Sequence, residues 1–372
     1  MFVFACAACG TELTTPLSRV ALPVHAHQTY GNGLQLPVLM DSGTFAVDSE
    51  PGGRPWRWWE AVDAGGAEAH GSQVPVDALP DDQPSGAIVV APGDTRGTVL
   101  IPERAGGHCC GLDGADGPNM ACAACGLPVA SRIDDCSLWQ AAWFVPGAVR
   151  RLAVDGLHPA PLTWSELWEE GEYTPLFEPI GTWGPGSGTD HFWSWSPRWE
   201  AAAGWALAHL LVASEGRPVT VPDGLVKEVF QRTLDALLPV GPQPMRAVTA
   251  GPGRPAPGPD ADIVLVPTHP QTGETWAPSG PAAAAHRVPL PFGVWLGLAL
   301  PRPHLPAPAS GTVPRGVVRD DPPPPHPRTL FRADAGILRH TLDRLPAAAR
   351  SPWLRELSGR VAQHVQAGAG LF

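Results

Sequence analysis

The chain has 372 residues and a formal net charge of −11, from 36 Asp and Glu against 25 Lys and Arg. That balance argues against a general nucleic-acid or anionic-membrane binder, because such surfaces are built from Lys and Arg that neutralise phosphates. The imbalance is concentrated in residues 1–150, which hold sixteen acids and seven Arg, whereas 328–372 hold seven Arg and three acids.

The length allows two domains of ordinary size, each able to bury a core. The 46 Pro, 42 Gly and the single lysine, Lys227, are what a GC-rich coding bias produces, but the bias does not account for 15 Trp. Met1 is followed by Phe2-Val3-Phe4-Ala5 without a basic or long apolar segment, and the apolar stretches 201–213 and 288–300 fall short of the ~20 residues of a membrane helix. The expectation is a soluble, cytoplasmic protein with no membrane partner. In that compartment cysteines serve as metal thiolates or buried thiols, not disulfides.

In chain order, residues 1–150 read as short β runs broken by Gly, Pro and Asp, at 19–26, 34–39, 44–47, 87–91 and 98–102. A Gly, Ala, Asp and Pro stretch at 50–85 is interrupted by Trp56, Trp58 and Trp59, which predicts an ordered loop pinned by aromatics. Helices are expected in 151–372. Ser196-Pro197 opens the first, which Gly216 can end; the second spans 223–238 before Pro239; the third spans 333–345; the fourth begins at Ser351-Pro352. Residues 263–267 read as a buried strand, and 288–300 as strand or short helix. The proline-rich runs 251–259 and 301–327 read as loops or partner-facing straps. The fold class is therefore α+β: a β-rich domain at 1–150, then a mixed α/β domain at 151–372 with about four helices.

The hexapeptide Ala-Cys-Ala-Ala-Cys-Gly occurs twice, at 5–10 and 121–126. Cys6 and Cys9 can supply two ligands, and Cys122 and Cys125 two more, to close a tetrahedral thiolate cage. Gly10 and Gly126 permit the positive φ that turns backbone N–H groups toward sulfur. On these residues the chain resembles the zinc-ribbon and rubredoxin-like families, over about thirty residues around the knuckles. The resemblance implies one structural zinc per chain, with iron as the competitor, and a ribbon split by the insertion 11–120. Zinc ribbons often bind nucleic acid, which the acidic first half argues against.

Other candidates are weaker. His108, Cys109, Cys110 and Cys136 offer a second site, although adjacent cysteines do not easily share one tetrahedral ion. Residues 111–119 have calcium-loop residue types but lack the terminal glutamate, so a turn is expected. His25 and His27 alternate on an expected strand and His108 follows another. That arrangement resembles the metal site of cupin-like barrels, and it implies a metal-dependent enzyme. Trp183, His191, Trp193 and Trp195 stud a Gly- and Ser-rich loop that suits a flat ligand, a sugar or a peptide. Glu166, Glu169, Glu170 and Glu172 read as a solvated helix face. No phosphate loop, nucleophile elbow or His-Glu-x-x-His motif occurs. The reading is a zinc-stabilised binding or adaptor protein for an unknown protein or small ligand, with an enzyme of unknown class as the alternative.

Overall fold

The computed structural model describes residues 1–31, 33–48, 86–106, 109, 111–154, 160–184, 187–300 and 329–366. Trp56, Trp58, Trp59, His108, Cys110 and the proline run 301–327 lie outside the described residues, as do the side chains of Trp183 and His191. Among the described residues the chain is mixed α/β, with seven α-helices. It forms two compact units. The first comprises Met1–Pro161, Gly181–Asp190 and Pro270–Gly273, and the second Leu162–Ile180, His191–His269 and Glu274–Phe372.

The first unit carries β1 (Phe2–Cys6), β2 (Ser18–Arg19), β3 (Leu34–Gln35), β4 (Thr44–Asp48), β5 (Ala87–Val90), β6 (Thr98–Leu100), β7 (Met120–Cys122), β8 (Pro128–Ile133), β9 (Ala141–Phe144) and β10 (Val149–Ala153). Seven of them form one sheet in the order β2-β4-β5-β9-β8-β7-β6, and β1 pairs antiparallel with β10. Strand alternation gives this sheet two apolar faces. Ile88 and Val90 join Phe4, Leu13, Phe45 and Phe144 in one core, while Ala87 and Val89 join Leu36, Trp139 and Trp143 in the other. In the first core Phe4 meets Phe45 edge-on at 5.0 Å. Each such fully buried phenyl contributes roughly 1.5–3 kcal/mol.

The expected strand at 19–26 stops after Arg19. Pro23 has no N–H for a ladder, and its carbonyl instead accepts from Ala26 N–H, with Gln28 N–H donating to the His25 carbonyl. Residues 24–27 are thus a turn. Pro37 likewise limits the run at 34–39 to Leu34–Gln35.

In the second unit α1 (Trp164–Glu170) opens on a capping box, with Thr163 and Glu166 satisfying each other's backbone N–H groups. These hydrogen bonds hold the Glu166 carboxyl below the usual carboxylate range. The expected loop around the tryptophans is instead a hairpin of β11 (Phe177–Gly184) and β12 (Ser187–Trp195), of which Gly181–Asp190 belongs to the first unit; the period-2 spacing of Thr189, His191, Trp193 and Trp195 allows it. Then come α2 (Pro197–Ser214), β13 (Val219–Thr220), α3 (Leu225–Leu237), β14 (Met245–Thr249), β15 (Ile263–Thr268), β16 (His286–Pro291), α4 (Phe292–Ala299), α5 (Ala335–Arg344), α6 (Pro346–Arg350) and α7 (Pro352–Gln366). Strands β13 to β16 form a parallel sheet in sequence order. As buried parallel strands require, β15 is an unbroken apolar run, Ile-Val-Leu-Val-Pro.

The four expected helices correspond to α2, α3, α5 and α7. The other three, α1, α4 and α6, have 7, 8 and 5 residues, too few turns to print a helical period on the sequence. The stretch 288–300 holds both the end of β16 and α4. Two tryptophans are core, not surface: Trp199 and Trp295 are fully buried, and their indole N–H groups donate to the carbonyls of Thr174 and Ala250. Trp295 packs onto Gly251, where a Cβ would lie 2.1 Å from its ring, so the proline-rich run 251–259 begins inside the unit.

On α2, burial lowers His209 from 6.5 to about 4. A folded-state pKa below the unfolded one means that the stability is fully present above pH 6.5 and is lost as pH falls toward 4. Thermal melts between pH 7 and pH 4 are expected to fall less steeply in His209→Leu than in the unsubstituted protein. Parallel curves would contradict this.

Candidate metal centre

The two hexapeptides fold into equivalent knuckles. In the first, Cys6 N–H donates to the Thr11 carbonyl at 2.8 Å and Gly10 N–H to the Cys6 carbonyl at 2.9 Å. In the second, Cys122 N–H donates to the Leu127 carbonyl at 2.8 Å and Gly126 N–H to the Cys122 carbonyl at 2.8 Å. Gly10 and Gly126 take φ of 76° and 78°, the left-handed conformation that closes each turn without a Cβ clash.

One strand segment returns the insertion to the first knuckle. Thr95 bridges Thr14, and Arg96 N–H donates to the Leu13 carbonyl. Immediately after it, the Gly97 carbonyl accepts from Ala123 N–H and Thr98 pairs with Cys122. Residues 95–98 therefore stitch both knuckles together. Behind them the buried Asp94 carboxylate accepts from Ser42 Oγ at 2.9 Å and Gly43 N–H at 2.8 Å, and its carbonyl accepts from Thr15 N–H.

The sulfurs interleave across the knuckles. Cys6 Sγ is 3.6 Å from Cys125 Sγ, Cys9 Sγ is 3.6 Å from Cys122 Sγ, and all four atoms lie within 4.8 Å of one another. A disulfide would need about 2.05 Å. Four sulfurs at about 2.3 Å from a central ion stand about 3.8 Å apart, so the set has the span of a tetrahedral metal cage. Cys6 and Cys122 are buried in the first core, while Cys9 and Cys125 are exposed.

Without a cation the two exposed thiols, Cys9 and Cys125, are pushed in opposite directions. The Thr11 hydroxyl, 3.2 Å from Cys9 Sγ, pulls that thiol down to about 6, aided by the Thr11 N–H. At Cys125 the Leu127 N–H also pulls downward. Desolvation and the three neighbouring sulfurs override it and push that thiol up to about 12. Crowded thiols cannot all ionise together unless a positive charge sits among them.

The remaining candidates are placed as follows. Cys136 Sγ lies 3.4 Å from Cys109 Sγ, and Asp135 completes a group of three ligand atoms within 4.8 Å. The sequence reading missed Asp135, although it adjoins Cys136. Within residues 111–119 a turn closes at 114–117, with Gly117 N–H donating to the Gly114 carbonyl, and Asp113 Oδ1 accepts from Ala115 N–H. His25 and His27 sit on the 24–27 turn, not on a strand. His27 Nε2 is 2.9 Å from the buried Asp48 carboxylate and its ring stacks on Trp143, while His25 packs on Trp139. Among the described residues neither histidine belongs to a group of three ligands. His27, Gln28, Asp113, Trp139 and Trp143 line a pocket. Trp193 is 45% exposed, whereas Trp195 donates to the Thr329 carbonyl and packs on Phe177 and Phe331.

No protein family, curated protein or solved structure matches this chain. Among the described residues no helix is long and apolar enough to cross a membrane.

Gly97 has φ of +57°, and a Cβ there would lie 2.8 Å from the Glu12 carbonyl oxygen. Gly97→Ala is expected to destabilise the first unit by roughly 1–3 kcal/mol and to speed metal loss to a chelator. Calorimetry with a timed chelator assay checks this, and an unchanged melting temperature would contradict it.

Proposed function

We propose that the chain is a zinc-stabilised cytoplasmic binding or adaptor protein, in which Cys6, Cys9, Cys122 and Cys125 hold one structural zinc. The observation that carries this reading is the tetrahedral span of four sulfurs from knuckles more than a hundred residues apart. Zinc suits the set because it accepts four thiolates without redox change, and a filled coordination shell has no place for a reacting water. The ion's role is then to hold the ends of the insertion together. The binding half of the reading is supported by the half-exposed Trp193 on β12, since indole offers a broad contact with a hydrogen-bond donor attached. The partner class is an unidentified protein or small ligand, and nucleic acid is disfavoured by the acidic charge.

A second reading, an enzyme of unknown class, is supported by the pocket beside the His27–Asp48 pair. In it Asp48 orients the imidazole, which acts as a base toward a small polar substrate.

Elemental analysis of the purified protein tests the leading reading. Cys122→Ser is expected to lower the zinc content by one equivalent per chain and to lower the melting temperature. Unchanged zinc content in that variant, or well under one zinc in the unsubstituted chain, would overturn it. Retention on heparin is expected to show no salt-dependent component, and strong salt-sensitive retention would instead favour nucleic-acid binding through the ribbon.

A further inference from the structure

We propose that Cys109, Asp135 and Cys136 form a second metal site, separate from the four-thiolate centre. It would take a zinc-class divalent ion on the three ligands found among the described residues, with water or substrate in the fourth position. The four-thiolate centre provides a yardstick within the same chain. Its sulfur pairs stand 3.6 Å apart, and Cys109 and Cys136 stand 3.4 Å apart, again far beyond a disulfide bond and close to the edge of a thiolate tetrahedron. In both groups all ligand atoms fall within 4.8 Å of one another.

The backbone is built to make this approach. Leu112 and Asp134 exchange two hydrogen bonds, of 3.0 and 2.7 Å, which set the Cys109 segment alongside residues 134–136. Gly111 allows the contact, because a Cβ there would lie 1.8 Å from the Asp134 carbonyl oxygen. Cys136 N–H donates to Asp135 Oδ1 at 2.8 Å and fixes the carboxylate beside the thiol. The next residue, Ser137, holds φ of 65°, which a non-glycine residue rarely adopts. Two hydrogen bonds enforce it, from Ser137 N–H to the Leu34 carbonyl and from Tyr30 N–H to the Ser137 carbonyl.

As at the four-thiolate centre, buried and exposed ligands are combined: Cys136 is buried and Cys109 exposed, so the ion would be anchored from the core and reached from solvent. Two thiolates and a carboxylate carry three negative charges, which a dication reduces to one. Three protein ligands among the described residues, with one position left over, match the arrangement of catalytic zinc, unlike the closed cage of structural zinc. A residual negative charge favours a neutral fourth ligand, which makes imidazole the suitable probe. The flanking segments also line the pocket, through Asp113 on one side and Ile133 and Leu138 on the other.

Full-length protein loaded with cobalt(II) tests the proposal. Two cobalt ions per chain are expected, with imidazole shifting part of the visible spectrum. Cys109→Ser, which alters an exposed thiol, is expected to bind one cobalt, keep the four-thiolate spectrum and lose the imidazole response. Asp135→Asn should weaken the same ion at least tenfold. Cys122→Ser removes the other ion, so failure of either site is told apart from failure of the other. One cobalt per chain in both the unsubstituted protein and Cys109→Ser would overturn the proposal. So would a Cys109–Cys136 disulfide found by mass spectrometry in metal-replete protein. Two cobalts without an imidazole shift would overturn the open position.

Discussion

Four sulfur atoms within 4.8 Å of one another are the constraint on which the first unit turns. Ionised together they repel. The rise of Cys125 to about 12 reflects that crowding together with desolvation, and a dication among the sulfurs relieves it. Because the knuckles come from opposite ends of a long insertion, the same ion would close a large loop, where cross-links restrict the unfolded chain most.

The surrounding fold serves that closure. Cys6 ends β1 and Cys122 ends β7, so the first cysteine of each knuckle is carried to the site by a strand. Both lie in the core built around Phe4, Phe45 and Phe144, which fixes the two turns relative to each other. Asp94 and residues 95–98 then bind the returning insertion to both. The second unit is organised differently, by a parallel sheet and by buried indoles that fill spaces left by glycine. Trp295 against Gly251 is one such pair.

The knuckles were legible because their chemistry requires a fixed spacing, whatever fold surrounds them. The four longer helices were legible for a related reason, since their apolar period runs through enough turns to be read. What the sequence hid depends on tertiary partners. Nothing local to Asp94 signals that it gathers Ser42, Gly43 and Thr15, and the weight of Asp135 becomes visible only when Cys109 stands opposite. Pro23 was the signal that residues 24–27 would turn, and the β-forming residues around it obscured that. The alternation near Trp193 was masked by glycines that look like loop residues but occupy a hairpin.

The functional account rests on the claim that a metal-closed clasp holds the first unit. Amide hydrogen exchange on the full chain, before and after chelation, tests that claim most directly. The account predicts that chelation strips protection from the amides of Cys6, Gly10, Cys122 and Gly126 and then from the strands around them, while β14 to β16 remain unchanged. Identical exchange at the knuckles with and without chelator would contradict it.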